Sequence, residues 1–99
     1  LSTNPARIMG LYPRKGAIAV GSDADIAIID PAIKKTLRMA DLHVRDYSPW
    51  EGWQVEGWPT TVILRGKVMV ANGQLLGSPS DGQLIARKID PRVLRRPAF

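Results

Sequence analysis

Thr60-Thr61-Val62-Ile63-Leu64-Arg65-Gly66-Lys67-Val68-Met69-Val70 is the stretch on which the fold of this chain turns. β-Branched and apolar residues fill both flanks of Arg65-Gly66, a composition that favours extended chain. A two-residue link ending in glycine suits a tight hairpin, because glycine takes positive φ at no steric cost. Asn72-Gly73 marks a second tight turn, which leads into Gln74-Leu75-Leu76. The class read from these residues is mainly β.

Upstream, Ile26-Ala27-Ile28-Ile29 is apolar at every position, the pattern of a strand buried on both faces. Asp30-Pro31 reads as its end. Ala17 to Val20 reads as another short strand, with Gly21-Ser22-Asp23-Ala24-Asp25 as the turn between the two. Asp23 and Asp25 could form a carboxylate pair for acid–base work or a metal. Their place beside Gly21 and Ser22 favours a structural role, accepting from backbone amides of the turn. Residues 34–45 are ambiguous. Thr36 to Met39 alternates like a strand, and Asp41 to Val44 could be extended or one helical turn. Ser2, Thr3 and Asn4 are good helix caps, and Pro5 suits a first helical position. A short helix bounded by Gly10 and Pro13 is therefore expected. Gly77 to Gly82 is a polar linker into an irregular tail. The sum is five or six short strands and one helix. Strands apolar on both faces in so small a chain imply partner strands or a helix layer supplied from elsewhere.

Ninety-nine residues allow one modest core. Hydrophobic residues at 44% and charged residues at 23% describe an ordinary globular chain. No apolar run approaches the roughly 20 residues needed to cross a bilayer, so no membrane partner is expected. Without cysteine there is no disulfide, thiolate ligand or cysteine nucleophile. That composition fits a reducing compartment, and a cytoplasmic location is expected. Of the net charge of +5, all but one unit lies in residues 84–99, where Arg87, Lys88, Arg92, Arg95 and Arg96 face only Asp90. A basic tail of this kind docks on an acidic neighbour or solvates itself, and a nucleic-acid partner is not expected. The chain opens on Leu1 without an initiator methionine and is expected to be part of something longer.

Asp46 to Pro59, DYSPWEGWQVEGWP, holds all three tryptophans. Interleaved proline and glycine disfavour regular structure, yet three indoles are much apolar surface to leave in water. Trp50, Trp53 and Trp58 could stack on a sugar or a base, although Pro49 and Pro59 suit a packed structural loop better. Glu51 could be a general acid in apolar surroundings, but a carboxylate holding the loop's backbone is the preferred reading. His43 is a single histidine, and a catalytic zinc needs at least three protein ligands. Ser48, Ser78 and Ser80 lack credible histidine and aspartate partners, and no glycine pattern matches a phosphate loop. No catalytic, cofactor-binding or metal-ligating residue is assigned. The structural assignments are Trp50, Glu51, Trp53 and Trp58 for the loop, and Asp23 and Asp25 for the turn.

Ser2-Thr3-Asn4-Pro5-Ala6, Gly10-Leu11-Tyr12-Pro13-Arg14-Lys15-Gly16 and Gly21-Ser22-Asp23-Ala24-Asp25-Ile26 resemble the C-terminal region of cyclic amidohydrolases. Asp46 to Trp53, Gly57-Trp58-Pro59, Ile63 to Val68 and Gly82 to Arg87 are similar to the dihydropyrimidinase/hydantoinase branch. That resemblance implies a parent hydrolase acting on the cyclic amide bond of dihydropyrimidines or hydantoins. Its chemistry would run at a binuclear divalent metal centre, zinc, inside a (β/α)₈ barrel whose ligands lie outside the matched region. Residues 1–16 would end the barrel part, 17–77 would form part of a composite β-sandwich, and 78–99 would be a C-terminal extension. The missing barrel and N-terminal sandwich strands would be its partners. The tail would reach a neighbouring subunit of a homo-oligomer, a homotetramer. Dihydroorotase and allantoinase share the fold and reaction class. The competing reading is a stand-alone β-rich module that uses Trp50, Trp53 and Trp58 to bind a protein or a carbohydrate.

Overall fold

In the computed structural model, which describes residues 1–42 and 46–95, the hairpin at Arg65-Gly66 is the centre of the sheet. Strands β2 (Gln54–Leu64) and β3 (Lys67–Ala71) run antiparallel on either side of it. Strand β4 (Gln74–Leu75) returns after Asn72-Gly73. Arg65 and Asn72 have φ of 47° and 49°, and the glycines that follow them 83° and 78°. Left-handed backbone at both link positions matches the twist of the flanking strands. Strand β1 (Ile26–Thr36) pairs with the other edge of β2, giving the order β1-β2-β3-β4, antiparallel throughout. The chain is mainly β.

Three expectations about where strands run need correction. Strand β1 does not end at Asp30-Pro31. Its pairing passes from Asp30 opposite Trp58 to Lys34 opposite Glu56, so residues 31–33 bulge across the single Gly57. Pro31 has no amide to contribute, and the bulge accommodates it while Asp30 Oδ1 accepts the Ala32 N–H at 2.9 Å. Ala17 to Val20 forms no strand. Ile18 and Val20 are exposed there, and the segment closes as a loop through Ser22 Oγ–H donating to the Pro13 carbonyl at 2.7 Å. Lastly, the tryptophan-rich stretch is irregular only to Trp53, because Gln54 to Pro59 belongs to β2.

Helix α1 (Thr3–Ile8) follows Ser2, whose side chain makes no capping bond. Thr3 instead donates its hydroxyl to the Gly16 carbonyl at 2.7 Å, and Pro5 sits inside the first turn rather than at its first position. Gly16 lies so close under the helix that an added Cβ would fall 2.5 Å from the Cβ of Ala6. Of the ambiguous 34–45 segment, Lys34 to Thr36 end β1 and Met39–Leu42 form a single 3₁₀ turn. The tail is not wholly irregular. Ser78 and Asp81 form a capping box around a 3₁₀ turn at Pro79–Asp81. Asp90 caps helix α2 (Pro91–Leu94) through the Arg92 N–H at 2.8 Å. Between them an extended strap returns to α1, where the Lys88 N–H donates to the Gly10 carbonyl at 3.1 Å.

Almost no core is enclosed. Among the described residues, Ala6 at 5% and Leu37 at 8% exposure are the buried apolar side chains, and no large side chain is fully buried. Ala27 and Ile28, on alternate faces of β1, are both exposed. The radius of gyration is 16.4 Å, against about 13 Å for a compact domain of 100 residues. The sheet is thus open on both faces. No helix among the described residues is long and apolar enough to cross a membrane.

Candidate functional site

Two clusters of the residues singled out from sequence can be placed: the tryptophan segment and the Asp23–Asp25 turn. The first is anchored on Leu37. The Gly52 N–H donates to the Leu37 carbonyl at 2.9 Å, and the Leu37 N–H donates to the Trp53 carbonyl at 2.8 Å. These bonds prolong the β1–β2 pairing past the strand ends, and they bury Leu37. Ser48 is also buried, and its Oγ accepts the Trp50 N–H at 3.3 Å. The Glu51 carboxylate accepts the Met39 N–H and lies 3.7 Å from the Arg38 guanidinium. It therefore grips the segment that follows β1 rather than amides of its own loop. Trp50 and Trp53 remain 52% and 60% exposed, and Tyr47 is open as well. Trp58 is half-buried, with the Lys35 ammonium 4.3 Å from its ring centroid. Cation–π attraction orients that lysine, which also pairs with Asp41 at 2.7 Å.

The Asp23–Asp25 turn is built around Lys15, whose side chain is only 16% exposed. Its ammonium lies 2.9 Å from Asp23 Oδ2 and also hydrogen-bonds Asp25, while Arg14 Nε reaches the same Asp23 oxygen at 3.0 Å. The other side of the turn clasps the hairpin tip. Asp25 Oδ1 accepts the Arg65 N–H at 2.9 Å, and the Ala24 carbonyl accepts the Gly66 N–H at 3.1 Å. The hydrogen bond from Lys15 holds the Asp23 carboxyl below the usual carboxylate range, and Arg14 adds to the effect. Burial opposes the same shift at Asp25, where Lys15 and the Arg65 amide outweigh it. Lys15 is raised, burial again opposing and the two carboxylates prevailing. A cleft of about 310 Å³ separates this turn from α1 and is lined by Ala6, Leu11, Lys15, Ala17, Asp23 and Asp25 among others.

The hydrogen bonds and ion pairs of both clusters run to backbone amides and neighbouring side chains of the described residues. Among the described residues no group of three or more histidine, cysteine or carboxylate side chains could hold a metal ion. Asp23 Oδ2 and both Asp25 oxygens are engaged by Lys15, Arg14 and the Arg65 amide, so a divalent cation at this pair would have to displace a lysine. The donor set does not fit a binuclear metal centre. His43 lies outside the described residues. Ser78 and Ser80 share a 2.9 Å hydrogen bond within the capping turn.

Lys15, Arg65 and Lys35 emerge only from the structure as organisers of these clusters. The signal for Lys15 was faint: a lysine before a glycine, eight and ten positions ahead of two aspartates. Arg65 was legible as a turn residue, but its link to Asp25, 40 positions away, has no local signature.

Comparison with known proteins agrees with this geometry. The sequence profile of the amidohydrolase family matches residues 1–69. D-hydantoinase of Ralstonia pickettii is 46% identical over 89 residues, which cover 89% of this chain and 20% of that protein. The solved D-hydantoinase of Bacillus sp. AR9 superposes with a TM-score of 0.84 at 46% identity, over 89% of this chain and 19% of its own. Dihydropyrimidinase of Brevibacillus agri gives 0.83 at 42% identity, over 87% of this chain and 19% of its own. The chain thus spans about a fifth of the length of the relatives it matches, and over most of its own length it is similar to them in sequence and fold. The chain belongs to the amidohydrolase family.

Proposed function

We propose that this chain is the C-terminal part of a cyclic amidohydrolase of the hydantoinase or dihydropyrimidinase type, and that it contributes architecture rather than catalysis. The observation carrying this reading is the 46% identity to D-hydantoinases in a chain whose placed carboxylates serve as turn, cap and ion-pair groups. The parent reaction is hydrolysis of a ring amide in a hydantoin or dihydropyrimidine, opening it to a ureido acid. The divalent metal, zinc in our reading, and its ligands belong to the other four-fifths of the parent.

The open sheet supports the partner side of the proposal. A four-stranded sheet bare on both faces needs further strands or a barrel against it to reach ordinary stability. Trp50 and Trp53 then lie at the seam between this part and the rest, and a sugar or a separate protein is not their ligand. The exposed basic residues Arg87, Lys88 and Arg95 suit contact with an acidic neighbouring subunit of a homo-oligomer in the cytoplasm.

The test is to determine the longer polypeptide containing this sequence and assay it. A His-x-His pair near a first barrel strand upstream of Leu1, with metal-dependent opening of hydantoin or dihydrouracil, is expected. A longer polypeptide without that pair and inactive on both rings would overturn the proposal.

A further inference from the structure

Arg65 is bonded at both ends, and its two bonds lead to different parts of the chain. Its backbone N–H is held by Asp25, in the turn organised by Lys15. Its guanidinium donates to the Asp81 carbonyl, at the end of the capped turn that starts the strap. The same aspartate accepts Lys67 at 2.7 Å and the Ser78 N–H at 2.7 Å. From Asp81 the strap runs back to α1 and closes on Gly10, where the φ is 69° and an added Cβ would lie 2.5 Å from the Lys88 carbonyl group. From Gly10, α1 and the following loop lead back to Lys15, with Thr3 fastening the helix to Gly16. The contacts form a closed ring: α1, Lys15, Asp25, Arg65, Asp81, strap, Gly10.

We propose that Arg65 is a mechanical coupler, so that order in the Asp23–Asp25 turn fixes the strap and order in the strap fixes the turn. The ring lies outside the β1–β2 pairing and needs no apolar core. It suits a chain that encloses almost none. Because the strap leads directly into α2, the ring also sets how the basic end of the chain is presented. Coupling between two sites is reciprocal, so a change at either end must be felt at the other.

Arg65→Gly severs the coupler gently. Glycine accepts the left-handed backbone of the turn and keeps the N–H that Asp25 holds, while the guanidinium is lost. Amide hydrogen exchange in the full polypeptide gives the readout. Asp25→Ala is expected to speed exchange in residues 78–90 at least about fivefold, the lower end of ordinary coupling, with β1–β2 amides unchanged. Ser78→Ala is expected to speed exchange at residues 22–25 in return. In the Arg65→Gly background the effect of Asp25→Ala on the strap should be clearly smaller, the remainder passing through Lys67 and through the Gly10 arm of the ring. Unchanged strap exchange in Asp25→Ala overturns the proposal. So does an equal rise with and without Arg65, or a uniform rise that includes the sheet.

Discussion

Lys15 shows how much one side chain can organise when no core is available. Two carboxylates flank its ammonium, and a fold closed by such contacts depends on pH in a definite sense. Asp23 and Asp25 titrate lower when folded. Their contribution is therefore complete above the ordinary carboxylate value of about 4 and is lost as pH falls through their folded values. Lys15 is raised. Its contribution is present below about 10.4 and is lost as pH rises through the folded value. A urea-midpoint profile against pH should be flat near neutrality and fall below about pH 4. Lys15→Met should lower stability by about 1 kcal/mol at pH 7 and flatten that acid limb. An unaltered acid limb in the variant would show that the aspartates respond to something else.

Among the elements, the two hairpin links were legible because their signal is local: Arg65-Gly66 and Asn72-Gly73 each place glycine where positive φ is required. Asp30-Pro31 reads as a strand end in the sequence, yet β1 continues past it, because a bulge is a property of two strands and its partner Gly57 lies 27 positions past Asp30. Ala17 to Val20 misled for a related reason. An apolar run predicts a strand only if a neighbour offers hydrogen bonds, and none of the described strands does. The tryptophan stretch was divided by its partner too, since pairing with β1 draws Gln54 to Pro59 into the sheet despite Gly57 and Pro59. The strap makes its own prediction. Gly10→Ala places a methyl against the Lys88 carbonyl at a left-handed φ, and should cost about 2 kcal/mol or more. Thermal unfolding would check this, and an unchanged midpoint would mean that the strap is not seated on α1.

Among the described residues the molecule has a sheet and two peripheral clusters in place of an enclosed interior, and in our proposal its candidate site is a set of supports. The family and the mainly β class were legible because their signals, the Gly21-Ser22-Asp23-Ala24-Asp25 motif and the glycine hairpin links, are local in the sequence. The contacts within the clusters were not, since they join residues far apart along the chain. Tryptophan emission should follow the exposure of Trp50 and Trp53. The isolated chain is expected to emit like half-solvated indole, to be quenched readily by acrylamide and to ignore added sugars. Within the longer polypeptide the emission should move to the blue, and a sugar-induced shift would favour a binding platform instead. The most direct measurement is a ring-opening assay of the isolated 99-residue chain with zinc and dihydrouracil. No turnover is expected. Sustained, zinc-dependent formation of the ring-opened acid would contradict the assignment of this chain to architecture alone.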